Sequence, residues 1–284
     1  MLIDGTHQLK FMSNEEFELV DTHCHIQSIG ADGGERITRE MWDKSGLTAD
    51  EVVKNAAKAG VTRLICVGCD LADSRLAIDF VGKHDNCWAS IGIHPHEAAT
   101  AIADDHIIDF TPLAPSPKVI AIGECGLDYY YEHSPKADQI KVLRFQLELA
   151  SETGLPVIFH VREAFDDFWP IFDDYKDIKG VLHSFTDNAE NLKKALNRGL
   201  YIGVNGIVTF AKDPKQLEVY RSIPIERLLI ETDAPFLTPT PDRGKINEPK
   251  QVKRIGEFLA ELRGENPKDL ATMTTRNACH LFGI

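Results

Sequence analysis

Short apolar runs rich in β-branched residues alternate with longer amphipathic stretches along most of the chain. In the first half the apolar runs are Phe17–His25, Thr62–Val67, Cys87–His94 and Lys118–Glu124. In the second half they are Pro156–His160, Gly180–His183, Leu200–Val204 and Arg227–Thr232. Each has the length and the residue types that strands favour. Apolarity is continuous rather than alternating, as in Val119-Ile120-Ala121-Ile122, which is expected of parallel strands buried on both faces.

Helical patterns separate these runs. Thr48-Ala49-Asp50-Glu51 is a capping box that opens a helix running toward Gly60. Between Ser134 and Thr153, Ile140, Leu143, Leu147 and Ala150 fall on one helical face, and Gly154 supplies a stop. Asp187 is placed to cap a helix over residues 188–197, ended by Arg198-Gly199. Strand and helix alternating eight times predict an α/β fold, a single (β/α)8 TIM-type barrel. A doubly wound open sheet is the competitor, but no Gly-rich phosphate loop follows the first run. Residues 1–16 read as an N-terminal extension and residues 17–284 as the barrel domain, with Met12-Ser13 an alternative start.

Charge narrows the choice of partner. Of 284 residues, 31 are Lys or Arg and 44 are Asp or Glu, so the formal net charge is −13. That excludes a nucleic-acid binder acting through a broad basic surface. It leaves room for an enzyme whose bound cations meet a phosphate. Six scattered cysteines do not make a secreted disulfide framework. No segment offers the ~20 apolar residues of a membrane span, nor the apolar core of a signal peptide. The expectation is a cytoplasmic protein with no membrane partner and no obligate protein partner.

The candidate chemistry sits at the ends of the apolar runs. His23 and His25 close the first, and residues two apart on a strand point the same way. Glu124 ends the fourth run, His160 the fifth and His183 the sixth, and Asp233 follows the eighth. Barrel enzymes gather their catalytic groups at the C-terminal ends of the strands, so six potential metal ligands share one mouth. Imidazole plus carboxylate without thiolate suits Zn²⁺, Mn²⁺, Fe²⁺ or Ni²⁺, and Mg²⁺ less comfortably. Six ligands exceed one open tetrahedral site but suffice for two ions about 3.5–4 Å apart with a shared carboxylate.

These residues lie in motifs that resemble the TatD family of metal-dependent deoxyribonucleases, within the amidohydrolase-like barrels. The motifs are Val20-Asp21-Thr22-His23-Cys24-His25, Gly92-Ile93-His94-Pro95-His96 and Ile122-Gly123-Glu124-Cys125-Gly126-Leu127-Asp128-Tyr129. They continue with Pro156-Val157-Ile158-Phe159-His160-Val161-Arg162, Leu182-His183-Ser184-Phe185 and Glu231-Thr232-Asp233-Ala234-Pro235. The ordered set runs from about residue 17 to the end of the chain. The resemblance implies two divalent cations per chain (Mg²⁺, Mn²⁺ or Zn²⁺). His23, His25 and Asp233 would hold one, His160 and His183 the other, with Glu124 bridging. Asp233 would also orient or deprotonate the attacking water. His94, His96 and Arg162 would contact substrate phosphate, with His94 and His96 alternatively completing a transient third metal site. The implied substrate is DNA, single-stranded and cut from its 3′ end.

Some positions depart from the family or carry less. Relatives usually have a basic residue directly before Asn247, where this chain has Ile246, with Lys245 and Arg243 nearby. The polar segment 28–46 looks longer than usual and reads as either a gating loop or a solvated insertion. Cys66-Val67-Gly68-Cys69 has no second CxxC and reads as inert packing; Cys24 and Cys125 should be turned away from the metals. Tyr129, Tyr130 and Tyr131 either stack on bases or cover the barrel rim. Two rival readings stand beside the nuclease. One is an amidohydrolase-type hydrolase of a small amide, lactone or phosphate ester, against which Glu124 stands where many relatives carry a carboxylated Lys. The other is a non-catalytic metal-dependent binding module, whose sign would be a missing ligand.

Overall fold

Eight parallel strands follow one another around a single sheet in chain order. They are β1 (Leu19–Cys24), β2 (Val61–Val67), β3 (Cys87–Ile91), β4 (Val119–Asp128), β5 (Val157–Arg162), β6 (Gly180–Leu182), β7 (Tyr201–Val204) and β8 (Leu228–Ile230). The structure is a computed structural model and describes residues 18–284, so the extension assigned to residues 1–16 and the Met12-Ser13 start lie outside it. The sheet closes where the chain leaves β8. Cys24 pairs with Ala234, Asp233 N donates to His23 O (2.8 Å) and His25 N donates to Ala234 O (2.8 Å). Unbroken neighbours from first strand to last are the barrel topology, not a doubly wound sheet.

The helices are α1 (Arg36–Ser45), α2 (Ala49–Lys58), α3 (Leu71–Val81), α4 (Ala98–Ala103), α5 (Lys136–Thr153), α6 (Phe165–Asp173), α7 (Ala189–Asn197), α8 (Pro214–Ser222), α9 (Val252–Arg263) and α10 (Pro267–Phe282). Of these, α2, α3, α5, α6, α9 and α10 pack against the strands. The Thr48 capping box that starts α2 forms in full, and Gly154 ends α5 in the left-handed region. The cap of α7 moves by one residue from the expected position. Asn188, not Asp187, accepts from the backbone of Asn191, while Asp187 accepts from the Asn188 N–H and the Asn191 amide. Both side chains are capping types, and their competition is settled by where the helical dihedrals begin.

Two apolar layers make the core. Val20, Ile65, Val67, Ala121, Ile158, Val181, Tyr201 and Leu229 fill the barrel interior, and Ala278, Leu281 and Phe282 of α10 belong to the same cluster. A larger cluster lies between strands and helices, with the aromatic group Phe159, Phe168, Trp169 and Phe172 prominent in it. This arrangement explains the continuous apolarity of the strands, since each face meets a packed layer.

Candidate metal centre

The strands that carry the first ligands change phase just before the mouth. Val20 belongs to the interior layer, yet Cys24, four residues on, packs in the outer one. A register slip between Asp21 and Cys24 separates them. A second slip, between Ile122 and Cys125, separates interior Ala121 from outward Cys125. An extra residue of this kind re-aims the side chains beyond it. His23, His25 and Glu124 therefore point into the mouth while Cys24 and Cys125 are buried behind them, fully out of solvent. The fourth strand also runs on past Glu124 to Asp128.

The side chains converge in two groups that share Glu124. On one side His23 Nε2 lies 3.3 Å from His25 Nε2 and 3.3 Å from Glu124 Oε2. His25 Nε2 lies 3.3 Å from Asp233 Oδ1, and His23 Nε2 3.8 Å from the same oxygen. On the other side Glu124 Oε1 faces His160 Nδ1 (2.9 Å), His94 Nε2 (3.7 Å) and His183 Nε2 (3.8 Å). All six expected ligands thus reach one cluster. His94 also reaches the cluster, and with Glu124 and His160 forms a group of ligating distance. The ring centroids of His160 and His183 are 6.5 Å apart, whereas His183 stacks on His23 at 3.5 Å.

Behind the ligands stand acceptors that fix the rings. His25 Nδ1 is 2.9 Å from the carbonyl of Val67, which leaves Nε2 for the cluster. His183 Nδ1 is 2.8 Å from Glu231 Oε1, an ion-pair distance at which the two are not aligned for a hydrogen bond. Asp128 Oδ2 is 3.0 Å from both His160 Nε2 and His96 Nε2. Asp21 accepts from the backbones of His23 and Thr232 and from the Thr232 hydroxyl, tying β1 to the exit of β8. Burial drives the Asp21 carboxyl up to about 8 against those hydrogen bonds. Sequence reasoning missed the work of Asp21, Asp128 and Glu231, although each stands within a motif. Asp128 lies on β4 beyond Glu124, and Glu231 follows the end of β8, so neither was marked out by the apolar runs themselves.

Electrostatically the cluster is a set of ionised carboxylates among imidazoles. Burial opposes charge on Glu124, but His23, His94, His183 and His160 hold its carboxyl well below the usual range. Asp233 is likewise lowered against its burial, chiefly by His25. Burial also disfavours imidazolium, which keeps His23 low and His94 well below the usual value. Carboxylate partners overcome burial at three rings, raising His25 and His160 to about 9 and His183 to about 10.

The donor set fits divalent metal ions. Two donors held by one tetrahedral ion at about 2.1 Å each stand about 3.4 Å apart, close to the 3.3 Å of His23–His25, His23–Glu124 and His25–Asp233. With its Nδ1 proton directed at the Val67 carbonyl, neutral His25 presents a lone pair at Nε2, the form that ligates a metal. His23 Nδ1 is buried without a hydrogen-bond partner. A carboxylate with one oxygen toward each group is what two neighbouring ions share.

Several other expectations land differently. Segment 28–46 is not a loop throughout: it contains α1, whose buried Trp42 donates from Nε1 to the carbonyl of His25 at 2.9 Å. Cys66 is buried as expected, and Cys69 stands beside the cluster as a protonated thiol. Its Sγ lies 3.9 Å from His25 Nδ1 and 3.9 Å from Glu124 Oε2, and burial pushes this thiol well above its usual pKa. Asn247 is fully buried and donates to the carbonyls of Thr232 and Phe236, a structural task. Lys245 is engaged by Asp242, and the Arg243 guanidinium lies over the Phe210 ring. Arg162 is exposed at the end of β5, stacked on Tyr130 and Tyr131.

Known proteins share this architecture. A family model described as TatD related DNase matches residues 20–283. A Bacillus subtilis protein named uncharacterized metal-dependent hydrolase YabD is 38% identical over 268 residues, spanning 94% of this chain and 99% of its own. The 3'-5' ssDNA/RNA exonuclease TatD of Salmonella typhimurium is 38% identical over 244 residues, 83% of this chain and 93% of its own. The crystal structure of YJJV, a TatD homolog from Escherichia coli, superposes with a TM-score of 0.81 at 26% identity, covering 94% of this chain and 98% of that one.

Proposed function

The chain belongs to the family of TatD-related DNases and is a metal-dependent hydrolase, and from that footing we propose that it hydrolyses phosphodiester bonds of single-stranded DNA, releasing nucleotides from the 3′ end with the help of two divalent cations. The observation that carries this reading is Glu124, with Oε2 3.3 Å from His23 and Oε1 2.9 Å from His160. His23, His25 and Asp233 would hold one ion, His160 and His183 the other, with Glu124 between them; His94 is close enough to join the second group. A pair of such ions lowers the pKa of water and neutralises charge developing on a phosphate.

The chain's own groups supply the rest. The Asp233 side chain keeps 16% of its exposure, so solvent reaches its carboxylate. It can accept a hydrogen bond from the attacking water, align it and take its proton. His94, His96 and Arg162 line the mouth on the β3–β5 side and offer donors to the phosphate oxygens. Val67, Asp128 and Glu231 keep the ligating rings turned the productive way, so little reorganisation is left for the reaction. With a net charge of −13 the general surface repels a polyanion, so attraction is confined to the mouth.

The test is the degradation pattern of 3′- and 5′-end-labelled single-stranded DNA by protein loaded with Mg²⁺, Mn²⁺ or Zn²⁺, beside small-ester and amide panels. A ladder shortening from the 3′ end is expected. Turnover confined to the small esters or amides would overturn the nuclease reading in favour of the amidohydrolase type.

A further inference from the structure

Beside the mouth the chain exposes an aromatic surface. Tyr130 and Tyr131 are 52% and 50% exposed, and no other Phe, Tyr or Trp among the described residues is as open. They do not dangle. Asp128 Oδ1 accepts from both of their backbone N–H groups, at 2.9 and 3.1 Å, while Oδ2 of the same carboxylate faces His96 and His160. The Arg162 guanidinium carbon lies 4.0 Å from the Tyr130 ring centroid and 4.7 Å from that of Tyr131. His133 stacks on Tyr131, with 5.6 Å between centroids and 11° between planes. One buried carboxylate thus fixes the distance between this surface and a ligand of the candidate metal centre.

We propose that Tyr130, Tyr131 and Arg162 form a stacking platform for the unpaired bases next to the phosphate being cut. This rests on the nuclease reading and adds what selects the substrate. Tyrosine rings and a guanidinium plane offer flat faces that any nucleobase can cover. Arg162, stacked by its face, still has N–H groups at its edge for a phosphate. Affinity of this kind does not depend on a basic surface, which this chain lacks. Bases in a duplex are already stacked and paired, so the platform favours single strands and frayed 3′ ends.

Two measurements test it on the full-length, metal-loaded protein. In the first, an oligothymidylate with 5-iodouracil at its 3′-terminal positions is photo-crosslinked and the adduct located by mass spectrometry. Attachment to Tyr130 or Tyr131 is expected, and attachment confined to other segments would overturn the platform. In the second, KM is compared between the oligothymidylate and an oligomer abasic at the same positions. The Y130A/Y131A variant should raise KM for the first by about tenfold or more, from loss of base stacking, and for the second by less than about twofold. Y130F/Y131F, which keeps the rings, should restore the wild-type value. An equal rise on both substrates, or no rise, sinks the platform while leaving the nuclease reading in place. If the unaltered enzyme hydrolyses bis(p-nitrophenyl) phosphate and leaves the oligothymidylate uncut, both readings fall together.

Discussion

Glu231 Oε1 lies 2.8 Å from His183 Nδ1, and the Nε2 of the same ring faces Glu124. Glu231 also accepts from the backbone N–H of Ser184 at 2.7 Å, so its carboxylate is anchored beside the imidazole. Replacing it with Gln keeps the shape and removes the charge that favours a ligating ring. We expect E231Q to weaken metal binding or activity by about 10- to 100-fold. Metal content after dialysis and turnover on labelled DNA would measure it, and wild-type values in both would sink the positioning role.

Glu124 is asked to do more. An E124A variant should lose metal from both groups and at least about 10²- to 10³-fold in kcat, as losing preorganised electrostatic stabilisation does. Persisting activity in a protein stripped of both ions would refute the bridging assignment.

Protons and metal compete for the same rings. Burial favours neutral imidazole, but Asp233, Asp128, Glu231 and Glu124 lift His25 and His160 to about 9 and His183 to about 10 in the metal-free protein. Metal needs those rings deprotonated, so binding near pH 7.5 should release protons and apparent affinity should climb toward pH 9–10. Calorimetry in buffers of different ionisation enthalpy reads the release directly. The linked stability has a definite sign. A folded pKa above the unfolded value of about 6.5 stabilises below that pH, and the gain is lost as pH rises through 9–10. The metal-free protein should therefore melt lower at pH 9.5 than at pH 6.5.

Arg162 provides a salt-dependent handle. Removing one phosphate contact from a single-strand binder lowers the slope of log affinity against log salt by about 0.7. R162A should raise KM and flatten the salt dependence by that amount, and an unchanged slope would show that the guanidinium meets no phosphate.

A Cβ built on Gly126 would sit 1.8 Å from the carbonyl oxygen of His160, at a φ of +152°. G126A must push β5 away or twist β4, and should destabilise the protein by about 2–4 kcal/mol. Urea denaturation would measure the loss, and a wild-type midpoint would mean that the two strands can part without penalty.

Most of the barrel was legible because its strands announce themselves as short apolar runs, and the convergence of the six candidate ligands because they lie at or just past the ends of those runs. The extension of β4 past Glu124 was not legible. Gly123 and Gly126 look like strand breakers, and the backbone there departs from regular pairing. Helix α1 was hidden for another reason: only Thr38 and Trp42 of its ten residues are buried, too narrow a stripe to set a period. Cys69 escaped because a turn, not an alternating strand, aims its thiol at His25. Asp128 and Glu231 went unassigned because a carboxylate that orients a ligand has the same spacing as one that binds metal.

The barrel is sewn shut by a seam in which Ala234 meets Cys24 and Asp233 meets His23. The first and last contributors to one ion pocket therefore become neighbours only when more than two hundred residues of polypeptide have been made and folded. A ribosome-bound nascent chain holds no finished pocket until the segment after β8 has emerged. Ion capture should be among the last events in this protein's biosynthesis, and a fragment clipped before that segment should carry no activity.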